Sequence, residues 1–90
     1  MSTAVHESSV SRRHYRARTL GALGSALQGT RAARGYTQDD LARVIGSSRP
    51  TISRMERGHA ATTDTVLDAL AACGYEIVVV PRGATVTVTT

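Results

Sequence analysis

The sequence predicts a mostly α-helical fold that ends in a short β segment. In four segments, apolar residues recur at intervals of three and four, which is the spacing of one helical face. A glycine able to close a helix in the left-handed conformation follows each segment: Gly35, Gly46, Gly58 and Gly74. The period then changes, because Ile77, Val78, Val79 and Val80 are consecutive, as in a buried strand.

The first two helices have clear start signals. The first is predicted from about Leu20 to Arg34, with Thr19 as its N-cap. The second starts at Thr37, whose side chain can cap the free amides at that end. Asp39 and Asp40 follow, and their negative charge suits the positive end of the helix dipole.

The next two helices complete a recognisable unit. The third is predicted from about Ser48 to Arg57, and Pro50 falls in its first turn, where no amide hydrogen is needed. A tight Gly-Ser turn separates it from the second helix, which is the layout of a helix-turn-helix. The fourth helix is predicted from about Thr63 to Cys73.

The C-terminal segment is predicted to be β structure, either one strand or a hairpin. After Ile77–Val80, a Pro-Arg-Gly turn leads into residues 84–89, where threonine and valine alternate. One lone hairpin is marginal in water. The same strand of a second copy is an economical partner, which predicts a shared sheet across a twofold axis.

Composition limits the classes of function. The 90 residues carry a net charge of +4, and all 11 basic residues are arginine, which suits contact with phosphate or guanine. The lone Cys73 cannot form an internal disulfide. The three histidines are scattered and have no metal-ligand or catalytic spacing. The sequence therefore predicts no enzyme, cofactor or metal site.

The segments give a three-part organisation. Residues 1–18 are predicted to be a flexible basic tail, residues 19–74 the helix-turn-helix domain, and residues 75–90 the β segment that pairs in a dimer. No apolar run has the length or position of a signal peptide or a membrane span. We therefore expect a cytoplasmic protein with no membrane partner.

A motif of 22 residues, 37–58, carries a family resemblance. It reads Thr-Gln-x-x-Leu-Ala, then Ile-Gly-x-Ser, then Thr-Ile-Ser-x-x-Glu-x-Gly. This spacing resembles the lambda-repressor-like, Cro-type (XRE) helix-turn-helix family over Leu20 to Gly74. The resemblance implies a four-to-five-helix domain that binds double-stranded DNA through its third helix.

The outer face of the third helix, which points away from Ile52 and Met55, is the predicted base-reading surface. It consists of Ser48, Arg49, Thr51, Ser53 and Arg54. An arginine there can grip guanine through its two acceptors, and a threonine methyl can meet thymine. The resemblance places Gln38 against a DNA phosphate. Thr37, Ser47 and Arg57 are predicted phosphate contacts too, although capping or a solvated position would also explain them.

Arg31 and Glu56 match a pair that links the first and third helices in some members of the family. A partly buried arginine–carboxylate pair would fix the tilt of the recognition helix. We therefore predict that Glu56 is structural and does not face DNA, since a carboxylate is repelled by phosphate.

The short chain and the terminal strand make the sequence similar to HipB-like antitoxins. That similarity implies a homodimer at the nucleoid that binds an inverted-repeat operator and neutralises a kinase-like HipA-type toxin. A stand-alone or phage-type repressor with no toxin is the main alternative. An interaction protein whose helix-turn-helix no longer binds DNA is another, and Arg49 and Arg54 argue against it.

Overall fold

A computed structural model describes residues 14–89 of the protein. These residues form four α-helices: α1 (Leu20–Arg34), α2 (Gln38–Ile45), α3 (Arg49–Glu56) and α4 (Thr63–Ala72). The prediction of a mostly helical fold with a helix-turn-helix at its centre is therefore confirmed.

Hydroxyl caps start three of these helices. Thr19 Oγ1 accepts from the amide of Ala22 at 3.0 Å, and Thr37 Oγ1 accepts from the amide of Asp40 at 3.0 Å. Ser48 caps α3 in the same way. Each cap gives a partner to an amide that the helix itself leaves unbonded, so the helix starts are set by local chemistry.

One small core joins all four helices. Each contributes a buried aliphatic side chain: Leu27 from α1, Leu41 from α2, Ile52 from α3 and Leu70 from α4. Leu41 and Ile52 have no exposed surface at all. Helices as short as α2 and α3 are only marginally stable alone, so packing in this shared core stabilises them and sets the angle between them.

A glycine permits the close packing of α1 against the end of α3. A Cβ atom built on Gly24 would lie 2.5 Å from the carbonyl oxygen of Met55 and 2.7 Å from that of Glu56. Backbone cannot yield as a flexible side chain can, so any larger residue at this position would push the two helices apart.

The predicted C-terminal strand is not formed, and this expectation was wrong for the single chain. No strand occurs among residues 14–89, and the side chains predicted for it are exposed by 49%, 67%, 92% and 40%: Ile77, Val78, Val79 and Val80. The physical reason is that a strand needs a second backbone to bond to. No other part of the described chain supplies one.

The N-terminal residues that are described contact the folded domain. Residues 1–13, most of the predicted tail, lie outside the described part of the chain. Tyr15 packs on α1, and Arg16 donates a hydrogen bond to the carbonyl oxygen of Ala84. Each helix in the described part of the chain is too short or too polar to span a lipid bilayer.

Candidate nucleic-acid interface

Helix α3 has one buried face and one exposed face. Ile52 and Met55 point into the core. Arg49 and Arg54 are exposed, and neither guanidinium bonds to any other residue of the described chain. The two arginines line a shallow open depression together with Pro50, Ser53 and Arg57. A positively charged, unpaired face of this kind can accept a polyanion.

Two of the predicted base-reading hydroxyls are already engaged at the start of α3. The oxygen of Ser48 accepts from the amide of Thr51 at 3.4 Å, and the two hydroxyl oxygens lie 2.9 Å apart. Their first role in the free chain is thus to cap the helix. Thr51 is half-buried and Ser48 is exposed, so both still border the exposed face.

Ser53 and Arg57 form a further local pair. Arg57 Nη1 donates to Ser53 Oγ at 2.6 Å, one helical turn earlier. This bond holds the Arg57 guanidinium along α3 and occupies the Ser53 hydroxyl. Sequence reasoning missed the pair, although the four-residue spacing of a serine and an arginine is a signal that could have found it.

The position of α3 is fixed by the Glu56 carboxylate, which contacts side chains from α1 and α2. Glu56 Oε2 accepts from Arg31 Nε at 2.5 Å, and Glu56 Oε1 accepts from Arg31 Nη2 at 2.9 Å. The Glu56 side chain is only 4% exposed. The hydrogen bond to Glu56 raises the pKa of the Arg31 guanidinium, which outweighs the lowering effect of burial. This fork-like pair joins α1 to the end of α3.

The same carboxylate also holds Gln38, at the first position of α2. Gln38 Nε2 donates to Glu56 Oε1 at 3.0 Å, while Arg31 Nη1 donates to the carbonyl oxygen of Tyr36 at 2.9 Å. The structure therefore ties Gln38 to the position of α3, a link that sequence reasoning did not find. No local sequence pattern predicts this hydrogen bond, because Gln38 and Glu56 are 18 positions apart.

The remaining predicted phosphate contacts lie at helix ends. Thr37 and Asp40 form a reciprocal cap, in which the amide of Thr37 donates to Asp40 Oδ2 at 2.9 Å. That hydrogen bond is the main cause of the lowered pKa of Asp40, and Arg43 acts in the same direction from 2.6 Å. Ser47 is half-buried in the turn, and its amide donates to the carbonyl oxygen of Ala42 at 2.8 Å.

The fold and this surface define a helix-turn-helix protein, and a comparison of sequences agrees. A family model described as Helix-turn-helix matches residues 27–77, more than half of the chain. The chain belongs to the XRE-type helix-turn-helix family of DNA-binding regulators. This confirms the resemblance found in the sequence. Among curated proteins, none matches the sequence.

Solved structures give similar folds. The clp gene regulator ClgR from C. glutamicum is 30% identical, with a TM-score of 0.61 over 64% of this chain and 76% of its own. A toxin–antitoxin module from Streptococcus pneumoniae is 32% identical, with a TM-score of 0.57 over 91% of this chain and 81% of its own.

HipB is also similar in fold. In a complex with an O2 20-mer it gives a TM-score of 0.70 at 24% identity, over 78% of this chain and 99% of its own. In a complex with HipA, O2 and O3, HipB gives a TM-score of 0.69 at 24% identity, over 77% of this chain and 99% of its own. At this identity the likeness shows the fold alone.

Proposed function

We propose that this protein is a sequence-specific repressor that binds an inverted repeat in double-stranded DNA as a homodimer. The observation that carries the proposal is the exposed face of α3, where Arg49 and Arg54 have no partner within the described chain. Their opposite face is anchored by Ile52 and by the shared Glu56. A rigid helix with a charged outer face suits insertion into the major groove.

Base reading falls to the side chains of that exposed face. Arg49 and Arg54 each offer paired donors to a guanine, and Thr51 offers its methyl group to a thymine. Ser48 and Ser53 complete the proposed reading surface. Their hydroxyls already have protein partners, so we expect their contribution to base discrimination to be smaller than that of the arginines.

Phosphate contacts flank the reading face and position it. Gln38 and Thr37 lie at the start of α2, where amides and the helix dipole attract an anion. Ser47 in the turn and Arg57 at the end of α3 complete the proposed set. Because Glu56 holds Gln38, the phosphate contact and the tilt of α3 are set by the same carboxylate.

The dimer is proposed from the exposed aliphatic side chains of Ile77–Val80. Four consecutive apolar residues, one of them 92% exposed, are stabilised when a second copy covers them. Backbone pairing between the two copies would also form the strand that a single chain lacks. Two recognition helices would then lie about 34 Å apart, facing successive major grooves.

Selection from random duplex DNA tests the DNA-binding function directly. The full-length protein should enrich an inverted repeat with half-sites about 10 base pairs apart. Affinity for the selected duplex should fall as salt is raised, since phosphate contacts release counterions. Undetectable or salt-independent affinity would favour the interaction protein with no DNA function.

We further propose that the repressor is the antitoxin of a toxin–antitoxin pair, with a kinase-like partner. The support is the 32% identity to the Streptococcus pneumoniae module over most of this chain, together with the HipB-like fold. Co-expression with the neighbouring reading frame, followed by purification of this chain, tests it. A stoichiometric kinase-like partner whose toxicity this chain suppresses is the expected result.

A stand-alone repressor is the second candidate, and the 30% identity to the regulator ClgR favours it. The two candidates differ in one observation. A stand-alone repressor purifies alone when the neighbouring gene is expressed with it, and its loss from the cell is not toxic.

A further inference from the structure

Two adjacent residues near the N-terminus hold two separate points of the C-terminal segment. The rings of Tyr15 and Tyr75 meet edge to face, with centroids 6.1 Å apart and planes at 64°. Arg16 Nη2 donates to the carbonyl oxygen of Ala84 at 2.5 Å. Residues 76–83 therefore lie between two anchored positions. We call Tyr15 and Arg16 the clasp.

The clasp has a seat on α1. A Cβ atom at Gly29 would lie 2.5 Å from the hydroxyl oxygen of Tyr15 and 2.8 Å from the ring carbon that bears it. A methyl group at this position would require the phenol to move from the place it occupies. Glycine inside a helix is destabilising relative to alanine, so a specific packing role would explain its place here.

The two anchored points are held in different ways: Tyr75 is fixed to the domain directly, whereas Ala84 lies in a local turn and is joined to the domain through Arg16. Tyr75 packs against the core, and its amide donates to the carbonyl oxygen of Leu70 at 2.8 Å. A turn closed by the amide of Ala84 and the carbonyl oxygen of Pro81, 3.0 Å apart, orients the residue that Arg16 contacts. The exposed residues Ile77–Val80 lie between these points.

We propose that Tyr15 and Arg16 are positioning residues that present Ile77–Val80 to a second copy of the chain. This rests on the dimer proposed above. A free segment of eight residues would lose backbone entropy when it pairs, and a segment held at both ends has already lost part of it. The clasp therefore strengthens dimerisation by lowering this entropic cost.

Substitution of Tyr15 tests the clasp. Tyr15→Ala should weaken the dimer about tenfold in analytical ultracentrifugation, a loss expected when a preorganised segment becomes free. Tyr15→Phe keeps the ring and should behave as wild type. Arg16→Ala should weaken the dimer in the same assay, because it removes the bond to Ala84. Arg18→Ala is its matched control, because it removes the same charge from an exposed residue that makes no hydrogen bond or ion pair within the described chain.

Readouts on the monomer separate positioning from general damage. At concentrations below the dimer dissociation constant, Tyr15→Ala should lower the backbone NMR order parameters of residues 76–83. The affinity of the monomer for a single half-site should stay as in wild type, whereas the thermal midpoint should fall slightly, because the ring loses its contacts with α1 and Tyr75. The chain has no tryptophan, so near-ultraviolet dichroism reports its three tyrosines and should lose the Tyr15–Tyr75 contribution.

Gly29→Ala gives an independent test through a double-mutant cycle. With Tyr15 present, the added methyl group should displace the phenol and weaken the dimer as Tyr15→Ala does. In the Tyr15→Ala background the same methyl group meets no ring. It should then increase the equilibrium constant for folding about fivefold, because alanine is preferred over glycine in a helix.

Two results would overturn the proposal, and they are distinguishable. A dimer dissociation constant and backbone order parameters in Tyr15→Ala equal to those of wild type would overturn the clasp while leaving the dimer intact. A wild-type chain that stays monomeric at every concentration would overturn the dimer, and the presentation of Ile77–Val80 with it.

Discussion

At the residue scale, the arginines of α3 differ in whether a protein partner already holds them. Arg57 is bonded to Ser53, whereas Arg49 and Arg54 have no partner within the described chain. A guanidinium with unused donors can bond to a base edge without breaking a protein contact first. This difference separates proposed readers from a proposed phosphate contact.

We predict that Arg49→Ala costs about 1–3 kcal/mol of binding free energy and relaxes preference at one base pair. Fluorescence anisotropy on the selected duplex and its single-base variants measures both effects. Arg57→Ala is the matched comparison, and it should weaken binding to all duplexes nearly equally. The slope of log affinity against log salt concentration should fall by about one, as expected for the loss of one phosphate contact. Equal weakening of every duplex by Arg49→Ala would reassign Arg49 to phosphate.

The shared carboxylate gives a second prediction at this scale. Glu56→Ala leaves the Arg31 guanidinium, 13% exposed, without its partner and frees Gln38, so we expect a loss of about 3 kcal/mol of unfolding free energy. Affinity for DNA should fall as well, because α3 loses its anchor.

Urea unfolding and DNA titration of the same Glu56→Ala preparation measure the two losses. Arg43→Ala is the control: it breaks an ion pair whose arginine side chain is 73% exposed, and about 0.5 kcal/mol or less should be lost. Affinity lost with an unchanged unfolding transition would instead place Glu56 at the DNA.

At the element scale, close approach decides which glycines can be replaced. Gly24→Ala should destabilise the domain by about 2 kcal/mol despite the helix preference of alanine, since its Cβ would press on the backbone of α3. Gly21→Ala, whose Cβ would lie 3.8 Å from its nearest neighbour, should be neutral or slightly stabilising. Equal thermal midpoints for the two variants would show that α1 can move away from α3.

The cap of α2 predicts a pH dependence. The pKa of Asp40 is lowered in the folded chain, chiefly by the amide of Thr37, so its contribution is complete above the unfolded pKa of about 4. That contribution is lost as the pH falls from about 4 through the lowered pKa.

Thermal midpoints between pH 6 and pH 2.5 measure this contribution. Asp40→Asn should lose stability at pH 6 and differ less from wild type at the acid end. Asp39→Asn is the neighbouring control, because no hydrogen bond holds Asp39 within the described chain. A constant difference between Asp40→Asn and wild type across the range would contradict the assignment.

Helix bounds could be predicted closely from the sequence because their causes are local. Thr37 and Ser48 cap the amides of residues three positions later, and each terminating glycine follows its own helix. The Gln38–Glu56 bond and the seat of Tyr15 on Gly29 join residues far apart in the chain, and no period or spacing encodes them. The C-terminal strand failed for a related reason: its pattern describes a paired strand, and pairing needs a second backbone.

At the scale of the whole molecule, one domain carries two surfaces for which we propose different tasks. The exposed arginines of α3 form one, and the aliphatic side chains of Ile77–Val80 form the other. If the second surface joins two copies, binding to DNA depends on protein concentration through the dimer. Full-operator affinity and half-site affinity then respond to different substitutions.

Val79→Asp is the substitution that separates the two surfaces. The side chain is 92% exposed in the single chain, so the variant should fold with an unchanged thermal midpoint. In a dimer that covers this position, a buried unpaired carboxylate is strongly unfavourable, so the dissociation constant of the dimer should rise at least tenfold. Affinity for the inverted repeat should fall accordingly, while affinity for one half-site stays the same.

The controls use other exposed valines. Val44→Asp on α2 makes the same change at a residue 56% exposed, and it should leave the dimer constant unchanged. Val88→Asp distinguishes the two predicted forms of the C-terminal segment. It weakens the dimer if residues 84–89 return as the second strand of a hairpin, and it has no effect if Ile77–Val80 pair alone. If Val79→Asp dimerises with the same dissociation constant as wild type, the two copies associate through another surface.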